Sequence, residues 1–168
     1  IQSTHSGAEI AIMENASGNS YSPPPKEGIW KDRFLEEIKN NHDTTKVHFV
    51  GTLDHPSYLN ILQNSWVHVY LNIPFVLSWS LLEAMSIGCT IVASDTPPVR
   101  EAIQDGETGV LVDFFDSEQL ASEIDRLLSD SSERLRLGGH AREWALRNYD
   151  LKQVCLPEQI RWVEQLAG

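Results

Sequence analysis

The chain has 168 residues, enough to bury one sizeable core. It carries 13 Lys and Arg against 24 Asp and Glu, a formal net charge of −11. That balance excludes a general nucleic-acid binder, which needs clustered Lys and Arg against phosphate, and is simplest to read as solubility.

No apolar run is long enough to cross a bilayer, and no charged-then-apolar leader pattern stands at the start. The only two cysteines are Cys89, in an apolar segment, and Cys155. A reduced, cytoplasmic protein is expected rather than a disulfide-stapled one. The first residue is Ile1, not methionine, so a piece of a longer protein is expected.

Glu9 to Glu14 is apolar enough for a short buried strand. Asn15 to Gly28 is rich in Ser, Asn, Gly and Pro, and Pro23, Pro24 and Pro25 forbid a helix there. It reads as a surface loop or as a flap near a ligand site. Trp30 to Asn40 has apolar residues at helical spacing, at Trp30, Phe34, Leu35 and Ile38. Val47 to Val50 reads as a strand ended by Gly51. Pro56 to Asn64 repeats the helical spacing through Tyr58, Leu59, Ile61 and Leu62. Trp66 to Leu71 is the next strand.

A loop, a helix and a buried strand follow between Asn72 and Asp95. Ser78-Trp79-Ser80 opens the helix, and one carboxylate, Glu83, sits among Leu81, Leu82, Ala84 and Met85. A charge in that setting is costly to bury unless something pairs with it. A helix N-terminus beside a carboxylate can bind a phosphorylated ligand: free N–H groups attract phosphate, and the carboxylate accepts from hydroxyls.

Ile91 to Ser94 and Gly109 to Val112 read as further strands. Asp116 to Leu128 is an amphipathic helix with Asp116 or Ser117 as cap. Ser131 to Asn148 is a helix interrupted at Gly138-Gly139. Asp150 to Leu166 is the last, kinked at Pro157. Strands alternate with helices and several are continuously apolar, which predicts an α/β fold with a parallel sheet covered on both faces. Ligands in such sheets sit at the carboxyl ends of the strands. Gly51, Asn72 and Asp95 with Thr96 fall at such ends and are expected along one edge. Arg100, just beyond, reads as solvent-facing or as a phosphate contact. The six histidines are scattered, and none is paired with a carboxylate at metal-binding spacing.

The segment Phe75 to Gly88 resembles the donor-site signature of the group 1 glycosyltransferases, the retaining, family 4 type with the two-domain GT-B fold. The resemblance continues through Ile91-Val92-Ala93-Ser94-Asp95, Val99-Arg100-Glu101-Ala102-Ile103 and Asp105 to Val112. Upstream it includes Val47-His48-Phe49-Val50-Gly51. It implies that residues 1–168 form the Rossmann-like C-terminal half of such an enzyme, the nucleotide-sugar-binding domain. The N-terminal acceptor domain, and the first strand of this half, would lie outside the chain.

By that resemblance the donor is a nucleoside diphosphate sugar, UDP-, GDP- or ADP-linked, with no bound cofactor or metal. Glu83 would accept from the ribose hydroxyls. Backbone N–H groups at Leu77, Ser78, Trp79 and Ser80 would meet the diphosphate, and backbone groups at Gly51, Thr52 and Leu53 would meet the base. Phe75 stands where the family carries a second Glu that contacts the sugar. It cannot accept a hydroxyl hydrogen bond, though it can stack or fill space.

The resemblance also implies that the catalytic base or acceptor-site groups belong largely to the other domain, so no residue here is assigned a catalytic role. The implied partners are the nucleotide-sugar and the chain's own N-terminal domain, which Tyr149, Trp162 and Val163 would meet unless they pack on their own domain. Peripheral membrane association stays open.

Two other readings stand beside the transferase. One is a non-catalytic binding or scaffold module of the same fold, with Phe75 marking lost catalysis. The other is a nucleotide-sugar epimerase. A phosphorylase would need a lysine for pyridoxal phosphate, and none lies between Lys46 and Lys152.

Overall fold

A computed structural model describes residues 4–13, 28–73 and 76–167. The chain divides into two units, residues 1–59 and 60–168.

In the first unit, β1 (Ile10–Ile12) and β2 (Val47–Phe49) pair in parallel, with Ile10 opposite Val47 and Ile12 opposite Phe49. Helix α1 (Trp30–Ile38) connects them through a 3-10 turn at Thr44–Lys46. Trp30 and Phe34, one turn apart, stack at 5.6 Å between ring centroids. Asp43 opens the 3-10 turn by accepting from the Thr45 N–H at 3.1 Å. Helix α2 (His55–Asn64) carries the division between the units.

The second unit holds a three-stranded parallel sheet: β3 (His68–Tyr70), β4 (Ile91–Ser94) and β5 (Val110–Val112), with β4 in the centre. All four residues of β4 are buried. Alternate strand residues point to opposite faces, so both faces of the sheet are covered. Val92, Val110, Val112, Leu127 and Leu137 form the core, with Val67, Leu120 and Ile124 packed against it. Cys89 is buried beside it, donates from Sγ to the Leu62 carbonyl at 3.4 Å, and has its thiol pushed up to about 11 by burial. Both cysteines are free thiols.

Around this sheet lie α3 (Trp79–Ile87), the short α4 (Pro97–Arg100), α5 (Ser117–Ser129) and α6 (Ser131–Tyr149), followed by α7 (Leu156–Ala167), none of whose residues is buried. Asp116 caps α5, its Oδ1 accepting from the Gln119 N–H at 2.8 Å. Asp130 does the same for α6 through Glu133 at 3.0 Å.

The expected break at Gly138-Gly139 does not occur: α6 runs unbroken from Ser131 to Tyr149. Gly138 serves packing instead. A Cβ there would lie 2.2 Å from the carbonyl oxygen of Gly88, the left-handed residue that closes α3. The two helices meet backbone to backbone at that point. A glycine in a helix costs about 1 kcal/mol against alanine, which close approach offsets.

Pro157 is also not mid-helix. A π-helical turn at Leu151–Cys155 precedes α7, and Pro157 falls in the first turn of α7. Proline has no N–H to donate and its ring crowds the carbonyl four residues back. The wider turn, in which the Leu156 N–H reaches the Leu151 carbonyl, makes room for it.

Candidate functional site

The carboxyl ends of β3 and β4 are fastened together by one side chain. Ser94, fully buried at the end of β4, donates from Oγ to the Asn72 carbonyl at 2.8 Å and accepts from the Asn72 N–H at 2.9 Å. Both backbone polar groups of Asn72 are satisfied where the chain leaves the sheet toward α3. The strand pattern alone places Ser94 at the end of β4 and does not reveal this role. The available signal was a lone hydroxyl ending an otherwise apolar strand.

Helix α3 begins at that edge. Ser78 is its N-cap, with an extended backbone, and its Oγ accepts from the Ser80 N–H at 3.3 Å and lies 2.8 Å from Ser80 Oγ. The Leu81 N–H donates to the Ser78 carbonyl at 3.1 Å, so the helix-end amides of Ser78 and Trp79 are the ones these bonds do not use. Leu77, Ser78 and Ser80 are half-buried, while Trp79 is 85% exposed. Glu83 is half-buried, and it follows Trp79 by four residues, so the two share a helix face. The opposite side of α3 is anchored by Leu81, Ala84 and Met85, all fully buried. At the far end, Arg142 donates from Nη1 to the Ser86 carbonyl at 2.7 Å. A cation at a helix C-terminus and an anion at its N-terminus both complement the dipole.

Asp95 and Thr96 follow β4, at the same edge as Asn72, as the parallel-sheet argument expects. The Asp95 N–H donates to the Val112 carbonyl at 2.7 Å. Arg100 settles as a partner of Asp95: its Nη2 donates to Oδ2 at 2.6 Å and its Nε donates to Oδ1. The guanidinium holds the Asp95 carboxyl below the usual carboxylate range. A depressed folded-state pKa gives stability that is present above the unfolded value, about 3.9, and lost as pH falls through the folded one. The Arg100 side chain is 62% exposed, so the contribution is small. Asp95→Asn should therefore lower the unfolding midpoint slightly at pH 6, and the difference from the parent chain should start to shrink only as pH falls below about 4; thermal melts from pH 6 downward check it.

Gly51, Thr52 and Leu53 lie in the first unit, after β2. Gly51 has φ +65°, a left-handed conformation that only glycine takes cheaply. Asp54 then accepts from the Ser57 N–H at 2.9 Å, so the segment is a strand-to-helix turn. Phe75 and the proline-rich loop at 15–27 lie outside the described residues.

Of the aromatic residues expected near a partner domain, Tyr149 packs on Trp144 of its own α6 at 5.4 Å, whereas Trp162 and Val163 stay exposed. Among the histidines, His48 pairs with Glu9 at 3.0 Å and His140 with Glu107 at 3.4 Å. His68 is half-buried, and desolvation pushes its pKa down. Among the described residues, no group of three or more His, Cys, Asp or Glu is placed to hold a metal.

Parallel strands joined through helices, with a capped helix starting at their carboxyl edge, define a Rossmann-like α/β domain of the GT-B kind. The chain belongs to the family Glycosyl transferases group 1, whose model matches residues 18–144.

Among curated proteins it is 31% identical over 121 residues to N-acetyl-alpha-D-glucosaminyl L-malate synthase of Bacillus anthracis, covering 72% of this chain and 31% of that one. The chain thus spans about a third of the length of the curated relatives it matches. Among solved structures it superposes on Anabaena HepE in complex with UDP, with TM-score 0.70 and 19% identity over 82% of this chain and 36% of that one. It also superposes on the C-terminal domain of the group 1 glycosyl transferase LpcC from Francisella tularensis, with TM-score 0.67 and 23% identity over 73% of this chain and 64% of that one.

Proposed function

We propose that this chain is the C-terminal, donor-binding domain of a two-domain retaining glycosyltransferase of the family 4 type. Its ligand is a nucleoside diphosphate sugar, and its partner is an acceptor-binding N-terminal domain of the same protein. The observation that carries the reading is the start of α3: an N-terminus capped by Ser78 at the carboxyl edge of the sheet, followed four residues after Trp79 by the half-buried carboxylate of Glu83. The amides would hold the diphosphate and the carboxylate would accept from the ribose hydroxyls. In the reaction, the same amides and the helix dipole would stabilise charge on the departing diphosphate as the sugar is transferred to an acceptor.

Two neighbours support the reading: the LpcC match is itself a C-terminal domain, and the HepE match was crystallised with UDP. Gly51, Thr52 and Leu53 are assigned to the base, and Phe75 to packing against the sugar in place of a carboxylate. The exposed Trp162 and Val163 are assigned to the N-terminal domain. With the acceptor side outside it, the chain alone should bind nucleotide without turning over.

The test is an amide chemical-shift titration with UDP, GDP and ADP. Shifts at Gly51, Ser78 to Ser80 and Glu83 with one nucleotide are expected, and would identify the base. No shift with any of the three would favour a non-catalytic scaffold of the same fold.

A further inference from the structure

Helix α6 carries a second polar feature that the donor-binding reading does not use. His140, Glu143, Trp144 and Arg147 follow one another at steps of three, one and three, so they occupy one helix face. That face and the turn at residues 104–108 line an open cleft of about 230 Å³. The turn is rigid. The Gln104 N–H donates to Thr108 Oγ1 at 2.8 Å, Gly106 takes φ +72°, and Arg136 donates to the Gly106 carbonyl at 2.7 Å.

Each carboxylate of the cleft has an arginine or imidazole neighbour. Glu107 Oε2 lies 3.4 Å from His140 Nδ1 and 3.7 Å from Arg136 Nη1, and Arg147 Nη2 donates to Glu143 Oε2 at 3.4 Å. A ligand of strong net charge would find no unopposed counter-charge there. An ionised carboxylate has acceptor sites beyond these contacts and can also accept from a hydroxyl. Gln104 adds an amide that can both donate and accept, and Trp144 adds an aromatic surface braced by Tyr149. Hydroxyl-seeking acceptors and donors around an aromatic ring suit one ligand chemistry: a neutral sugar, polar at its rim and apolar on its C–H face. The volume lies below the roughly 300–1,000 Å³ of drug-sized sites, which fits a single hexose unit.

We propose that the cleft between the 104–108 turn and α6 is a carbohydrate-binding subsite that takes one neutral hexose unit of a glycan. It involves no residue assigned to the donor and does not depend on that assignment.

The test is a titration of the isotope-labelled 168-residue chain with methyl α-glucoside, methyl α-mannoside and N-acetylglucosamine. At least one should shift the Trp144 indole N–H and the Gln104 side-chain amide, with a Kd in the range of about 1–10 mM. Trp144→Ala should weaken binding at least about tenfold, an effect of about 1.4 kcal/mol. Gln104→Ala, on the exposed turn, should weaken it several-fold with an unchanged melting temperature, and decides the matter if Trp144→Ala does not fold. The proposal is overturned if no sugar shifts Trp144 at tens of millimolar, if the shifts fall at Trp79 and Glu83 instead, or if Gln104→Ala binds as the parent does.

Discussion

One methyl group at position 138 should cost the second unit at least about 2 kcal/mol, because it has nowhere to go. The added Cβ of Gly138→Ala would stand 2.2 Å from the Gly88 carbonyl oxygen and 3.2 Å from its carbonyl carbon. Both obstacles are backbone, so no side chain can rotate aside. Relief requires α6 to move away from α3 and loosens packing around Leu137 and Ala141, both fully buried. The expected reading is a melting temperature lower by about 4–8 °C. The neighbouring residue supplies the control. A Cβ at Gly139 meets nothing within 4 Å, so Gly139→Ala should instead stabilise α6 by up to about 1 kcal/mol through helix propensity. Two adjacent glycine-to-alanine changes thus carry opposite signs. Equal melting temperatures for the pair would refute the close approach.

Glu83→Gln is the sharpest test of the donor-site reading. The substitution keeps shape and removes charge, and it replaces one acceptor oxygen with a donor that would face a ribose hydroxyl. Hydrogen bonds to charged groups contribute about 1.5–3 kcal/mol, so affinity for the preferred nucleoside diphosphate should fall about ten- to hundredfold. Inorganic pyrophosphate has no ribose, and its binding should hardly change. Calorimetry on both ligands separates a lost ribose contact from a damaged helix end. Unchanged nucleotide affinity in a folded variant would remove Glu83 from the site.

Most of this architecture was legible from periodicity. β4 was read to the residue, because Ile91-Val92-Ala93-Ser94 is continuously apolar up to its serine and bounded by polar residues. The α5 boundary was read within one residue, because Asp116 is a strong cap. The misreadings at Gly138 and Pro157 share a cause. Gly138 and Pro157 were weighed by local propensity, while their roles depend on what lies across from them or just before them. A helix tolerates glycine where another backbone must come close, and proline where the preceding turn has widened.

Within the candidate site, the start of α3 and the place of Glu83 on that helix are legible because a helix cap and a single carboxylate in an apolar helix are local signals. The Ser94–Asn72 clasp is not, since its partners are separated by 22 positions in sequence. Arg100 was left between solvent and phosphate; its pairing with Asp95, five residues back, is a contact that helical spacing alone does not announce.

The fixing of α3 at its far end has a thermodynamic consequence. Its last turn is wedged against α6 at Gly88 and held by Arg142, so the helix axis is set before any ligand arrives. An anion meeting the other end would encounter dipoles that are already aligned. Little ordering of the helix would then oppose association, and the entropy lost on binding would fall mainly on the ligand.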